Sequence, residues 1–333
     1  MNLGTTAILG AGGWGTALSV LWANKGHDVL LWGRTPTRVE RIRENRENRD
    51  YLPGIKLPDS IRLTSDLAEC TTADLVVFVT PSAALRTVAS RFRQLGANQH
   101  ALLLSCTKGI EHCTGKRMSE VLDEIFPRHA IAVLSGPNLA IEIARGLPTA
   151  SVLACNKPAR ALALQDHLGS PMFRIYTSED LAGVELGGAL KNVFAIAAGA
   201  SDGLRLGDNA KAALVTRALA ELIRLGTAMH GELATFYGLS GAGDLVLTCF
   251  SKHSRNRYVG EQLGRGSAID EVTSSMRMVA EGIPTAKSAY ECARKLNVDT
   301  PIIDQVYALL YDQKSAGEAL HALLGREQKA ERW

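Results

Sequence analysis

The chain has 333 residues, 46% hydrophobic and 21% charged, with a formal net charge of +3. At roughly 100–200 residues per domain this length predicts two globular domains, and the near-neutral balance gives no electrostatic case for nucleic acid or a membrane surface. No run of about 18 uncharged apolar residues, no targeting signal and no C-x-x-C pair is present, and the six cysteines are scattered; a spanning helix, a disulfide framework and a metal site are therefore unexpected, and reduced thiols in the cytoplasm are the expectation.

Ala7, Ile8 and Leu9 end a short apolar strand, Gly10, Gly12 and Gly15 spell G-x-G-x-x-G, and Thr16-Ala17-Leu18 opens a helix. Each glycine has a mechanical reason. Gly10 permits the tight turn, Gly12 leaves room for a pyrophosphate, and Gly15 lets helix and strand pack closely. The helix N-terminus offers free N–H groups and the positive end of its dipole, so the stretch predicts a dinucleotide site. The helix stops at Gly26, and residues 28–32 form the second strand of a βαβ unit. An acid after that strand would bind the ribose 2′-hydroxyl of NAD. Gly33, Arg34 and Thr35 stand there instead, with Arg38 a turn later. A guanidinium suits a 2′-phosphate, so NADP(H) is the preferred cofactor with NAD(H) as the second choice; a merely solvated arginine is the plainer alternative.

Residues 36–49 mix arginines and glutamates at helical spacing and predict an exposed, ion-paired helix, followed by a loop at residues 51–54. Apolar runs at 74–79, 101–104 and 131–134 alternate with helical stretches at 83–93, 116–126 and 138–145. Near-continuous aliphatic strands between helices predict a parallel sheet covered on both faces, with ligands beyond the carboxyl ends of the strands. Lys108 follows one such strand and is a candidate for function there, against the alternative of a solvated charge. Residues 150–154 and 173–177 read as further strands at an antiparallel edge, around a helix at 158–168.

From residue 181 the chain reads as helices, which puts the domain boundary near 180, giving domains at 1–180 and 181–333. In the helix at 183–200, Lys191 and Asn192 are the strongly polar residues after Leu186. A lysine in an apolar, glycine-bearing helix is not part of an amphipathic stripe. Desolvated, it is suited to general acid–base chemistry; snorkelling to solvent is the alternative. A long helix at 212–230 follows, then a glycine-rich turn at 236–245 carrying Asp244, a basic loop at 252–257 (K-H-S-R-N-R) suited to a phosphate, and a short loop at 278–282. Residues 285–295, 302–310 and 317–324 read as amphipathic helices.

Taken in order, G-A-G-G-W-G-T-A, S-C-T-K-G-I, S-G-P-N-L-A-x-E, V-E-L-G-G-A-L-K-N-V, G-L-S-G-A-G-D-L-V-L-T-C and H-S-R-N-R closely resemble the bacterial NAD(P)-dependent glycerol-3-phosphate dehydrogenases, over nearly the whole chain. The resemblance implies an α/β fold: an N-terminal Rossmann domain with a doubly wound sheet, then an all-α C-terminal domain like that of 6-phosphogluconate dehydrogenase. It implies interconversion of dihydroxyacetone phosphate and sn-glycerol 3-phosphate for phospholipid synthesis, by a homodimer. By motif match, Lys191 is the proton donor and acceptor. Lys108, Gly136, Asn138, Asp244, Ser254, Arg255 and Asn256 line the substrate site beside it. Gly13, Trp14, Arg34, Lys108, Ala140, Arg255, Val279 and Glu281 touch the cofactor, together with the glycines of the turn; Asn192 and Thr248 support. The chain departs from the family pattern at Asn138, where Ser or Thr is usual, and at Ile141, where Lys is usual. The alternatives are a hydroxyacid or sugar-acid dehydrogenase of the same plan, or a non-catalytic NADP(H) sensor.

Overall fold

The computed structural model describes residues 3–155, 157–276, 278–328 and 330–331. The chain divides into two compact units, Met1–Lys108 with Met118–Val184, and Gly109–Arg117 with Glu185–Trp333. Where a single cut near residue 180 would leave the segment Gly109–Arg117 in the first half, it clusters with the second unit.

In the first unit the order is β1 (Thr5–Leu9), α1 (Gly13–Asn24), β2 (Asp28–Trp32), α2 (Pro36–Asn45), β3 (Arg62–Thr64), β4 (Leu75–Phe78), α3 (Ser82–Gln94), β5 (Leu102–Ser105), α4 (Met118–Ile125), β6 (Ala130–Ser135), α5 (Ala140–Ala144), β7 (Thr149–Cys155), α6 (Pro158–Leu168) and β8 (Phe173–Ser178). The eight strands lie in the order β3-β2-β1-β4-β5-β6-β7-β8. The first six are parallel, β7 runs antiparallel to β6, and β8 is parallel to β7, so β7 and β8 at one edge run against the other six. Alternate residues of each central strand feed opposite faces. Ile8, Leu31, Val77 and Leu104 pack with Leu18 and Trp22 of α1. Ala7, Leu9, Leu30, Phe78 and Leu103 pack with Phe92, Leu122 and Phe126. This two-sided burial is why the strands carry aliphatic runs rather than alternation. The sheet order reverses between β1 and β4, the topological switch point at which such sheets bind ligands.

One local expectation is revised, and one strand was not read from the sequence. The helix read at 36–49 stops at Asn45, because Arg46 adopts a left-handed conformation with φ 46°. The strand β3 is three residues long and has no periodicity to read.

The second unit contains α7 (Leu181–Gly203), α8 (Gly207–Ala228), α9 (Leu233–Phe236), a π-helical turn (Leu239–Gly243), α10 (Asp244–Phe250), α11 (Arg255–Gly264), α12 (Ile269–Ser275), α13 (Gly282–Lys295), α14 (Pro301–Tyr311) and α15 (Ala316–Leu324). The stretches Leu181–Gly203 and Leu233–Phe250 are long and apolar enough to cross a membrane by composition, but 83% of the most apolar window of the first is buried within the protein. Glycines bring α7 and α11 together. A Cβ at Gly199 would collide with the Arg257 carbonyl oxygen, one at Gly260 with that of Ile196, and one at Gly264 with that of Ala200. The segment Gly109–Arg117 is fixed in this unit by Ser288 Oγ, which donates to the Ile110 carbonyl at 3.2 Å, and by an Arg117–Glu185 ion pair at 2.7 Å.

Candidate functional site

In the first unit the site begins at the carboxyl end of β1. Gly10 has φ +135°, a conformation open to glycine, and a Cβ there would stand 2.6 Å from the Val79 carbonyl oxygen at the end of β4. A Cβ at Gly15 would collide with the Gly10 carbonyl, so helix and turn are in backbone contact. At Gly12 a Cβ would meet nothing within 4 Å. The absence of a side chain at Gly12 is therefore not required by the protein's own packing. It leaves an open cradle at the N-terminus of α1, where the first N–H groups have no intrahelical acceptor. Those features fit the pyrophosphate of a dinucleotide. Gly13 lies under the Tyr51 carbonyl, which a Cβ would approach to 2.9 Å, and Trp14 is half-buried against the core with its indole N–H unpartnered among the described residues.

At the end of β2, Arg34 is exposed, whereas Arg38 is committed: it donates to the Tyr51 hydroxyl at 2.6 Å and pairs with Asp50 at 3.3 Å. After β5, Lys108 Nζ donates to the Gly136 carbonyl at 3.0 Å, which joins the loops after β5 and β6. Asn138 exchanges hydrogen bonds with Ser151 of β7 at 2.9 and 3.0 Å, so its amide is tied to the sheet edge. Ala140 starts α5, and Ile141, at the position where a lysine is usual, packs its side chain on the hydrophobic core.

In the second unit the centre is Lys191, 6% exposed in the middle of α7. Its Nζ donates to Asp244 Oδ1 and, at 2.8 Å, to Thr248 Oγ1; the Thr248 hydroxyl donates to the Asp244 carbonyl at 2.6 Å. Asp244 is fully buried and supplies the countercharge an ammonium needs at this depth. Glycines that permit close backbone packing place these groups. Gly187 brings α7 against the π-helical turn, where a Cβ would stand 2.5 Å from the Ser240 carbonyl oxygen, and Gly241 sits on the Phe236 backbone. The stretch read as a glycine-rich turn is therefore mostly helical, and Asp244 and Thr248 face Lys191 from one turn of α10. Burial pushes the neighbouring Cys249 thiol up to about 12, so it stays protonated and inert.

Next to Lys191 on α7, Asn192 Oδ1 accepts from Asn256 Nδ2 at 2.8 Å, and Asn256 Oδ1 accepts from the Gly282 N–H at 2.9 Å. Asn256 thereby links α7, α11 and the start of α13. Ser254 is the N-cap of α11, its hydroxyl accepting from the Arg257 N–H at 3.2 Å. Arg255 is exposed and donates to the Val279 carbonyl at 2.7 Å, which brings those two predicted residues together, with Glu281 preceding α13. Arg257 of the same basic stretch is structural: it pairs with Asp202 at 2.6 Å and Glu261 at 3.0 Å. Sequence reasoning also passed over Asn48, which is 1% exposed and donates to the Ala11 carbonyl of the glycine turn at 3.0 Å. Its signal was hidden in an arginine-rich stretch that reads as solvated helix.

Comparison with known proteins shows the family. The family profile described as NAD-dependent glycerol-3-phosphate dehydrogenase N-terminus matches residues 5–161, and the corresponding C-terminus profile matches residues 180–321. The chain is 48% identical over 329 residues to a glycerol-3-phosphate dehydrogenase (NAD(P)+) of Citrifermentans bemidjiense, covering 98% of each. It is 46% identical over 330 residues to one of Pelodictyon phaeoclathratiforme, covering 98% of this chain and 99% of that one. The crystal structure of glycerol-3-phosphate dehydrogenase from Coxiella burnetii superposes with a TM-score of 0.94 at 37% identity, covering 97% of this chain and 99% of that one.

Proposed function

The chain belongs to the NAD-dependent glycerol-3-phosphate dehydrogenase family, and from that premise we propose how its residues carry the reaction. It is an NAD(P)-dependent oxidoreductase acting on a CH–OH group, interconverting dihydroxyacetone phosphate and sn-glycerol 3-phosphate, the latter a precursor of glycerophospholipids. The observation that carries the assignment of roles is the buried Lys191 ammonium, held by Asp244 and Thr248.

The first unit holds the dinucleotide on the Gly10–Gly12–Gly15 turn and the second carries the acid–base group. Bound there, the reduced nicotinamide supplies a hydride to C2 of the ketone. As charge develops on the carbonyl oxygen, Lys191 donates the proton, and it takes the proton back in the oxidative direction. Lys108, steadied by the Gly136 carbonyl, stabilises the same charge and aligns the substrate. Arg255 at the first turn of α11 binds the substrate phosphate, aided by the helix N-terminus, while Asn192 and Asn256 keep that turn in place. Binding energy at the phosphate, remote from the reacting carbon, orients C2.

Loss of reduced-nicotinamide absorbance with dihydroxyacetone phosphate, measured for wild type beside Lys191→Ala, tests the reading. A fall in kcat of about 10²–10⁴ is expected in a folded variant; near-normal turnover removes Lys191 from the mechanism. The cofactor preference is for NADP(H), because Arg34 is exposed at the end of β2 with no acid there. Arg34→Leu should raise the KM for NADPH about tenfold more than that for NADH. An unchanged ratio of the two would remove Arg34 as the determinant.

A further inference from the structure

The segment between α2 and β3 has no place in the reaction as described. It runs from Arg46, in the left-handed region, through the Glu47–Lys56 bridge to Leu57, and is anchored by Leu52, Ile55 and Leu57 in the core. Its outer end is held by Tyr51, whose ring lies 4.8 Å from the Arg38 guanidinium, and by Asp50, which pairs with Arg38 at 3.3 Å and Arg41 at 3.0 Å. So fixed, the segment lays Asn48 and the Tyr51 carbonyl on the glycine turn.

Asn48 spends both hydrogens of its amide there. Nδ2 donates to the Ala11 carbonyl at 3.0 Å and to the Thr16 hydroxyl at 2.8 Å, spanning the turn from its entry to the first turn of α1. Since the Ala11 carbonyl can only accept, the amide orientation is fixed. Asn48 Oδ1, by contrast, is buried without a hydrogen-bond partner among the described residues. A buried, half-satisfied amide is a poor choice for stability; an apolar side chain would avoid an unpaired oxygen. What the amide does accomplish is geometric. The Ala11–Gly12 peptide is planar and trans, so its C=O and N–H point in opposite directions. Drawing the Ala11 carbonyl towards Asn48 turns the Gly12 N–H away from the segment, in the turn where Gly12 leaves open space. The second bond holds Thr16, whose N–H donates to the Gly12 carbonyl at 2.9 Å, so the next peptide is fixed as well.

We propose that Asn48 is a positioning residue for dinucleotide binding, setting the orientation of the Ala11–Gly12 peptide so that the turn meets the pyrophosphate pre-organised. The proposal rests on the reading of the glycine turn as the dinucleotide site. Because the pyrophosphate is common to both dinucleotides, Asn48 acts on NADPH and NADH alike, unlike Arg34.

The test is direct titration of the full-length enzyme with NADPH and with NADH, alongside steady-state kinetics and thermal melting. Asn48→Ala should raise both dissociation constants by about tenfold, the equivalent of one to two hydrogen bonds, with KM for the cofactor rising far more than kcat at saturating cofactor falls. Thr16→Val removes the second acceptor at nearly constant volume and should weaken both cofactors in the same way; Thr16→Ser, which keeps the hydroxyl, should recover most of that loss. If Asn48→Ala does not fold, the Thr16 pair decides. Unchanged affinities in a folded Asn48→Ala, or a loss confined to melting temperature, overturn the proposal. Wild-type enzyme that binds neither dinucleotide overturns the reading of the turn itself, and the proposal with it.

Discussion

At the scale of single residues, the second unit solves a specific problem, a cation placed in the middle of a helix that is otherwise apolar. Burying Lys191 without partners would be prohibitive, and Asp244 and Thr248 answer it from one turn of α10. Thr248 is the more informative of the two, since removing Asp244 would strand a buried charge and confound stability with catalysis. Thr248→Val should lower kcat about tenfold through loss of one positioning hydrogen bond, with KM for dihydroxyacetone phosphate little moved; equal kcat in the variant would make the hydroxyl a purely structural group. Lys191 was legible in the sequence because a lysine inside an apolar, glycine-bearing helix conflicts with its surroundings. Asn48 was not, because an asparagine among arginines and glutamates conflicts with nothing until the chain folds back on the glycine turn. The basic stretch was legible only in part: of its polar residues Ser254 is a helix cap, Arg257 belongs to an ion-pair network with Asp202, and Arg255 is the one exposed guanidinium of the pair.

At the scale of elements, α7 and α11 lie in backbone contact through Gly199, Gly260 and Gly264. Gly260→Ala should therefore destabilise the protein by about 3 kcal/mol, since its Cβ would strike a main-chain oxygen that cannot turn aside. Gly317, in α15, is the counter-case: a Cβ there meets nothing within 4 Å, and Gly317→Ala should stabilise by about 0.5–1 kcal/mol. Melting curves of the two variants check both signs. The same ambiguity of glycine limited the sequence reading. In the first unit it marked a turn, and the strands around it were identified by their aliphatic runs. At residues 236–245 it also suggested a turn, but there Gly241 serves close packing on Phe236 and the backbone is helical. Composition alone does not separate the two uses.

At the scale of the whole molecule, the two units carry opposite responses to acid. In the first, His27 and His167 meet edge to face with ring centroids 4.1 Å apart beside Lys25. Burial, then the Lys25 charge, hold His27 low, and burial followed by His27 and Lys25 brings His167 down to about 4. Neutral rings are favoured in the folded state, so this contribution is present above pH 6.5 and is lost as the pH falls towards 4. In the second, Glu221 accepts from the Ile302 and Ile303 N–H groups at the start of α14, yet burial raises it from 4.5 to about 7. Its contribution is fullest below pH 4.5 and is lost as the pH rises through about 7. Lowering the pH from 7 to 5 should therefore lower amide-exchange protection factors, taken relative to the intrinsic rate at each pH, around α6 and raise them around α14, and Glu221→Gln should remove the second change alone; uniform behaviour of the two units would refute the assignment. The segment Gly109–Arg117 ties these units together in one more respect. It leaves the first unit immediately after Lys108, is clamped through Ile110 and Arg117 in the second, and returns at Met118. A protease nick at the later crossing, between Val184 and Glu185, would yield two polypeptides still interlocked by that hairpin, and a gene split there would give a C-terminal half with Glu185 missing its arginine. The enzyme is two folding units but not two separable modules.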